Sequence, residues 1–300
     1  MSGVMEITKT VPATKSLIWG GTTLKKWGKP SKEANIAEAW ELSFRDDGPT
    51  LLPDGRALKD VAAKDDLGAK VQHFPYFPVL IKLIDSESNL SIQVHPSDDY
   101  ALKNENSFGK TEMWHIIAAK PGAGLYLGFK RETNEAEVRE AIKNNTLTDL
   151  LQFIPVKPGE NYFIPSGTVH AIGAGVTLAE IQQNSNLTYR LYDYGRLGKD
   201  GKPRELHVDK AMKVVSFKPY VPMHFPSPIM GECSYFRSIL GKVEKGVISA
   251  PKDSFASITF LSGEGIFHGE AFKQGDTFFI PAGKSGEIEG EGEYVLTIIP

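Results

Sequence analysis

One frame occurs twice in this 300-residue chain, and it limits the fold more than any other feature. Gly159-Glu160-Asn161-Tyr162-Phe163-Ile164-Pro165-Ser166-Gly167-Thr168-Val169-His170 reads as a strand closed by a Pro-x-Gly turn. Gly275-Asp276-Thr277-Phe278-Phe279-Ile280-Pro281-Ala282-Gly283-Lys284-Ser285-Gly286 repeats it. Proline fixes φ and glycine supplies a positive φ, so each turn aims the first side chains of the next strand reproducibly. The first copy delivers His170. The second delivers Gly286, which has no side chain to offer. One working site and one structural copy follow from that difference. Two units are too few for a solenoid, so a pair of packed β modules is expected.

The rest of the chain agrees with a mainly β fold. Short alternating or β-branched runs, each ended by Gly, Pro, Asn or Asp, cover Pro78–Ile84, Ser91–His95, Glu112–Ala118, Thr177–Gln182, Phe255–Leu261, Gly265–His268 and Tyr294–Ile299. Such spacing favours a sandwich or barrel over an alternating α/β sheet. Helical patterns are few: Asn134–Asn144 with Thr133 as N-cap, a turn within Leu147–Phe153, and shorter stretches at Asp60–Leu67 and Pro96–Asn104. Four prolines punctuate Lys218–Pro228. They place a boundary between residues 1–217, the module with the histidine, and residues 218–300, the smaller copy without it. Trp19, Trp27 and Trp40 make residues 1–60 too apolar for a loose tail, so this segment is expected to add strands to the first module.

Composition excludes several function classes. A formal net charge of −3, with both signs mixed along the chain, argues against nucleic acid or an anionic membrane as the main partner. Any basic site for an anionic ligand must therefore be local. Cys233 is the only cysteine, so no intramolecular disulfide can form. Met1–Ser16 lacks the apolar core of a signal peptide, and the apolar run near Phe74–Ile84 is broken by Pro75, Pro78 and Lys82. A cytoplasmic protein acting on a small molecule is expected.

Three separated segments converge on metal chemistry. Side chains two apart on a strand share a face, so Gln93 points with His95, and Lys110 with Glu112 and Trp114. Adding His170 gives two imidazoles, a carboxylate and an amide oxygen. That set suits a borderline divalent ion, zinc first and iron, manganese or cobalt next, with a position left for water or substrate. His115 sits at an odd offset from Glu112 and faces away from it. The remaining histidines read as ordinary hydrogen-bonded residues.

At these residues the chain resembles the cupin superfamily, whose second motif matches Gly159-x5-Pro165-x-Gly167-x2-His170. Its first motif appears here as Gln93-x-His95, and Ala174 stands where many cupins carry asparagine. Leu90-Ser91-Ile92-Gln93-Val94-His95-Pro96, Gly109-Lys110-Thr111-Glu112-Met113-Trp114 and the run Glu180-Ile181-Gln182-Gln183-Asn184-Ser185-Asn186-Leu187-Thr188-Tyr189-Arg190 narrow the likeness. Ile18-Trp19-Gly20-Gly21 and Glu38-Ala39-Trp40-Glu41 fit as well. Together they resemble the type I mannose-6-phosphate isomerases, in their short bacterial and archaeal form, over most of the chain.

That resemblance implies two cupin-type double-stranded β-helix (jelly-roll) barrels with a few short helices. It implies one Zn²⁺ per chain, held by Gln93, His95, Glu112 and His170, and interconversion of mannose 6-phosphate and fructose 6-phosphate through an enediol. Arg190 takes the position of the family's arginine associated with catalysis, and Lys110 is placed to move a proton or bind a hydroxyl. Lys82, Ser91 and Arg196 fall in segments that face the substrate phosphate. A homodimer would suit exposed sheet edges. Two other readings share the motifs: an iron-dependent oxygenase, and a bicupin that binds a sugar without turning it over. Glu112, the basic residues and above all the segment Glu180–Arg190 argue against the first, and the second would not need Lys110 and Arg190 beside the metal.

Overall fold

The structure is a computed structural model that describes residues 5–198 and 200–300. The first four residues of the segment read as lacking a leader lie outside the described residues. Three antiparallel sheets dominate, with a few short helices. A six-stranded sheet runs in the order Ala13–Lys15, Glu38–Leu42, Val79–Ser86, Val176–Gln183, Glu112–Ala119, Asn161–Ile164. A five-stranded sheet runs Tyr189–Tyr192, Ile92–Val94, His170–Ile172, Gly124–Phe129, Leu151–Pro155. The third sheet is built mainly from Ile229–Ile298, and Thr8–Lys9 joins its edge at Phe278 and Phe279. Residues 5–60 therefore serve two sheets, two strands in the first and one in the third. No helix among the described residues is long and apolar enough to cross a membrane.

The period of two explains how the six-stranded sheet is buried on both faces. In the run VLIKLIDS every residue of Val79–Ser86 is buried. Val79, Ile81 and Leu83 join Met113, Ala179 and Ile181 in a core shared with Phe236, Phe279 and Val295 of the third sheet and with Phe255 just before it. The intervening positions, Lys82, Glu112, Trp114 and Glu180, belong to the opposite face. That face looks towards the five-stranded sheet. The latter turns Ile92, Val94, Ala171 and Leu191 outward, where Val138 of the helix Glu135–Lys143 and Ala211 of Val208–Met212 cover them. Polar residues of both sheets are thus left facing one another across a common interior.

Several local details differ from the sequence reading. Asn134, not Thr133, caps the helix Glu135–Lys143: its Oδ1 accepts from Glu137 N at 3.0 Å, while the Thr133 hydroxyl is drawn to the Glu137 carboxylate. The turn expected over Leu147–Phe153 splits into the helix Leu147–Leu150 and the strand Leu151–Pro155, which pairs with Gly124–Phe129. Asp60–Leu67 is two short helices, Leu58–Val61 and Lys64–Leu67. Phe255–Leu261 and Gly265–His268 fuse into one strand, Ala256–Phe267. The glycines that suggest an interruption face glycines on the neighbouring strand Ser285–Ile298, Gly263 opposite Gly292 and Gly265 opposite Gly290. A Cβ on Gly263 would lie 1.9 Å from Glu291 O, so this close approach of two backbones requires the missing side chain.

One buried ion pair ties the N-terminal segment to the third sheet. Lys29 Nζ lies 2.6 Å from Glu41 Oε1 and donates to Gly275 O at 2.5 Å, with the two side chains 6% and 0% exposed. Burial raises the Glu41 carboxyl above its usual range, and Lys29 pulls it back. Lys29→Met should strand that carboxyl and cost about 3–5 kcal/mol of stability, read from urea unfolding. Adding Glu41→Leu should recover most of the loss. An unchanged midpoint in the single variant would show that the pair contributes nothing.

Candidate metal centre and the cavity beside it

Glu112 and His170 lie on different strands, His95 directly follows the strand Ile92–Val94, and the three meet at the facing surfaces of the two N-terminal sheets. Each offers one ligand atom, and these atoms all lie within 4.8 Å of one another. The strand–turn frame works as its sequence suggests. Asn161–Ile164 pairs with Glu112–Ala119, the Pro165–Gly167 turn reverses the chain, and His170 opens the next strand opposite Gln93. Gly167 adopts φ +85 at that turn.

The ring orientations are fixed from behind. His95 Nδ1 donates to Leu187 O at 2.9 Å, and His170 Nδ1 donates to Thr168 O at 2.9 Å. Both Nε2 atoms are thereby left as acceptors turned inward. Burial lowers the pKa of both rings, His170 to about 4 and His95 well below the usual histidine range, with the charge of Lys110 adding to the effect. They are neutral imidazoles at physiological pH.

Two acceptors therefore face each other. His170 Nε2 lies 3.2 Å from Glu112 Oε1, an atom that is buried without a hydrogen-bond partner. His95 Nε2 lies 3.9 Å from Glu112 Oε2. A tetrahedral ion with bonds of about 2.0–2.2 Å spaces its ligand atoms by about 3.4 Å, so this constellation fits a small divalent cation. Gln93 is at its edge, with its amide nitrogen 3.4 Å from His170 Nε2. A half-turn of the amide would bring its oxygen there instead.

Charge is dense around this centre. Lys110 Nζ donates to Glu112 Oε2 and, at 3.1 Å, to His95 Nε2, and lies 3.7 Å from Glu180 Oε1. Lys82 Nζ lies 3.2 Å from Glu180 Oε1 and 3.5 Å from Glu38 Oε2. Trp114 Nε1 donates to Glu180 Oε2 at 2.8 Å. Burial and the charge of Glu180 push the Glu112 carboxyl up to about 7, against the pull of Lys110. Burial also opposes ionisation of Glu180, but Lys110 and Lys82 overcome it and hold that carboxyl down at about 2. Burial lowers the Lys82 ammonium less than Glu38 and Glu180 raise it, so it stays protonated.

A cavity of about 330 Å³ opens beside the centre, with Lys82, Ser91, Gln93, Lys110, Glu180, Arg190 and Arg204 in its wall. Arg190 donates from Nε to Ser91 Oγ at 3.2 Å and from Nη1 to Glu205 O at 2.9 Å. It is not paired with Asp193, whose carboxylate is taken by Arg196 and Arg204. Arg196 is absent from the cavity wall, where Arg204 is present.

Sequence reasoning takes Glu180, Glu38 and Trp19 only as parts of motifs and passes over Arg204. A signal exists for Glu180. In Val176–Gln183, a strand buried at every position, a carboxylate on the inward face needs a cationic partner, and Lys82 stands opposite it in register. The second copy of the frame offers no such centre. A Cβ at Gly286 would already lie within 3.1 Å of Phe267, His268 and Ile7 side chains.

Comparison with known proteins agrees with this geometry. Residues 7–121 match the family model described as phosphomannose isomerase type I, catalytic domain. Mannose-6-phosphate isomerase ManA of Bacillus subtilis (strain 168) is 35% identical over 302 residues, spanning 94% of this chain and 94% of the relative. Mannose-6-phosphate isomerase of Streptococcus mutans is 37% identical over 206 residues, 66% of this chain and 64% of the relative. The crystal structure of mannose 6-phosphate isomerase from Bacillus subtilis superposes with a TM-score of 0.86 at 31% identity, covering 98% of this chain and 99% of that one.

Proposed function

We infer the activity from one premise: the chain belongs to the type I phosphomannose isomerase family. It interconverts mannose 6-phosphate and fructose 6-phosphate through an enediol. The observation that carries this reading is the pair of inward-facing imidazole nitrogens around the Glu112 carboxylate, opening on a cavity with arginine and lysine in its wall.

The ion in this proposal is zinc, which His95, Glu112 and His170 would hold, with Gln93 as a fourth ligand through its oxygen once its amide is turned. When bound it supplies Lewis acidity, lowering the cost of charge on the sugar's C1 and C2 oxygens. The protein's own groups do the rest. Moving a proton between C2 and C1 needs a group that can give and take it within hydrogen-bond reach of both carbons. Lys110, buried and pointed at the centre, is that group in this proposal. Arg190 is planar and always cationic, suited to hold the enediol's oxygens as their charge rises, with Ser91 fixing its plane. The Lys82–Glu180 pair sits beside Lys110 and sets the field in which it works. Lys82, Ser91, Lys110 and Glu180 are buried side chains of the cavity wall, which limits water around the reacting carbons.

The same reading divides the chain into two cupin-type barrels, residues 1–217 and 218–300, with Thr8–Lys9 lent to the second. It places the protein in the cytoplasm and allows a homodimer. The test is a single preparation, assayed for fructose 6-phosphate formation and analysed for metal. Turnover of mannose 6-phosphate that persists in fully demetallated protein would sink the metal-dependent mechanism. Bound metal without isomerase turnover would favour a sugar-binding bicupin.

A further inference from the structure

The cations of the cavity fall into two groups. Lys82 and Lys110 are each within 4 Å of carboxylates, Glu38 and Glu180 for the first, Glu112 and Glu180 for the second. A dianion brought to them would meet those carboxylates as well. Arg190 and Arg204 form the less buried wall, and Asp193 is the carboxylate that faces Arg204.

Arg204 is held like a mounted tool. Its Nε donates to Asp193 Oδ2 at 2.7 Å and its Nη2 to Asp193 Oδ1 at 2.5 Å, a two-pronged contact that fixes the guanidinium plane. A small hairpin returns the chain to that point, with Leu197 bridged to Pro203 and Gly198 N donating to Lys202 O at 2.7 Å. Nη1 of Arg204 and Nη2 of Arg190 have no hydrogen-bond acceptor among the described residues. Arg196 differs. Its Nε donates to Asp193 O at 3.3 Å, its Nη1 to Asn89 O at 2.5 Å and its Nη2 to Asp193 Oδ1 at 2.5 Å, which leaves no nitrogen without a partner.

We propose that Arg204 binds the substrate's phosphate, leaving Arg190 to the enediol end, and that Asp193 is the positioning residue that holds the Arg204 guanidinium in the cavity wall. The assignment rests on the sugar-phosphate reading above and names the residue that selects for the phosphate. The single carboxylate of Asp193 serves both Arg196 and Arg204, so the cluster around Arg204 keeps a net positive charge, which is what a phosphoryl dianion requires.

The test uses the metal-loaded, full-length protein with Arg204→Met, Arg196→Met, Asp193→Asn and Asp193→Glu, each checked by thermal melting. Two readouts are taken: KM and kcat with mannose 6-phosphate, and binding of inorganic phosphate by calorimetry, which needs no turnover. Arg204→Met is expected to raise KM and the phosphate Kd about 10- to 100-fold, with kcat within about threefold of its starting value. Arg196→Met should act on both less strongly. Asp193→Asn should move KM in the same direction as Arg204→Met, and Asp193→Glu should recover part of it. Unchanged KM and phosphate affinity in Arg204→Met would overturn the proposal. So would loss of phosphate binding in Arg196→Met with Arg204→Met unaffected. If inorganic phosphate binds through Arg204 but mannose 6-phosphate is not isomerised, the activity reading falls and the anion site stands. Normal turnover with phosphate binding indifferent to Arg204 would keep the activity and remove the anion site.

Discussion

His170→Ala is expected to leave the protein with substoichiometric divalent metal and to lower mannose 6-phosphate turnover on the order of 10³-fold or more. The expectation follows from how little else can replace the lost donor. His95 Nε2 already accepts from Lys110 at 3.1 Å, and Gln93 offers only a neutral amide at the edge. Without the imidazole, Glu112 and His95 are the only two strong donors left, with the neutral Gln93 amide as a weak third, where a stable site needs three or four good ones. The residue is also separable from the fold. It sits at the first position of a three-residue strand, and the flanking Ala171 and Ile172 pair with Tyr126 and Leu125 by backbone alone. Thermal melting of the variant should therefore stay near that of the parent. Metal content after desalting and a coupled fructose 6-phosphate assay on the same sample decide the matter. Stoichiometric metal with undiminished turnover would end the assignment of His170 as a ligand. Gln93→Ala should have a much smaller effect, about tenfold, since removing one weak neutral ligand leaves the three stronger ones in place.

The constellation is legible in the sequence because its chemistry follows rigid local rules. Glu112 opens a strand and His95 directly follows one, so alternation sets their side, and His170 follows a turn fixed by Pro165 and Gly167. The same rule identifies Val79, Ile81 and Leu83 as one face and Lys82 as the other. The wall formed by a loop is a different matter. Arg204 reaches the cavity only because the hairpin after Asp193 folds back, and no periodicity links positions 193 and 204. Arg196 is nearer in sequence to the strand Tyr189–Tyr192, so the sequence points to it for that place. Its guanidinium is instead fastened to Asn89 and Asp193 and laid over the Tyr194 ring, 5.0 Å from its centroid. The long strand Ala256–Phe267 is hidden in the sequence for another reason. Glycine usually weakens a strand, but facing glycines on neighbouring strands let backbones close where any side chain would collide, and only the pairing reveals that.

Lys110→Met should lower kcat about 10²- to 10⁴-fold while KM changes little, the pattern of a group that acts in the proton transfer and not in holding substrate. Methionine keeps the length and apolar stem of the side chain, so the strand Glu112–Ala119 and its neighbours should keep their packing. It removes the one ammonium that touches both His95 and Glu112. Metal must be measured alongside, because losing the ammonium frees Glu112 Oε2 and His95 Nε2 and should leave the ion bound at least as well as before. A variant with full metal and normal KM that no longer exchanges the sugar's C2 hydrogen with deuterated water would place Lys110 in the proton path. Exchange at the parent's rate would exclude it. In that case the neighbouring Glu180, held ionised by Lys82 and buried in the same wall, becomes the group to test, and Glu180→Gln with Lys82 intact should then show the loss that Lys110→Met did not. The two outcomes cannot both occur. Only one group can be the main carrier, and the pair of variants separates a carrier from a residue that merely sets the charge around it.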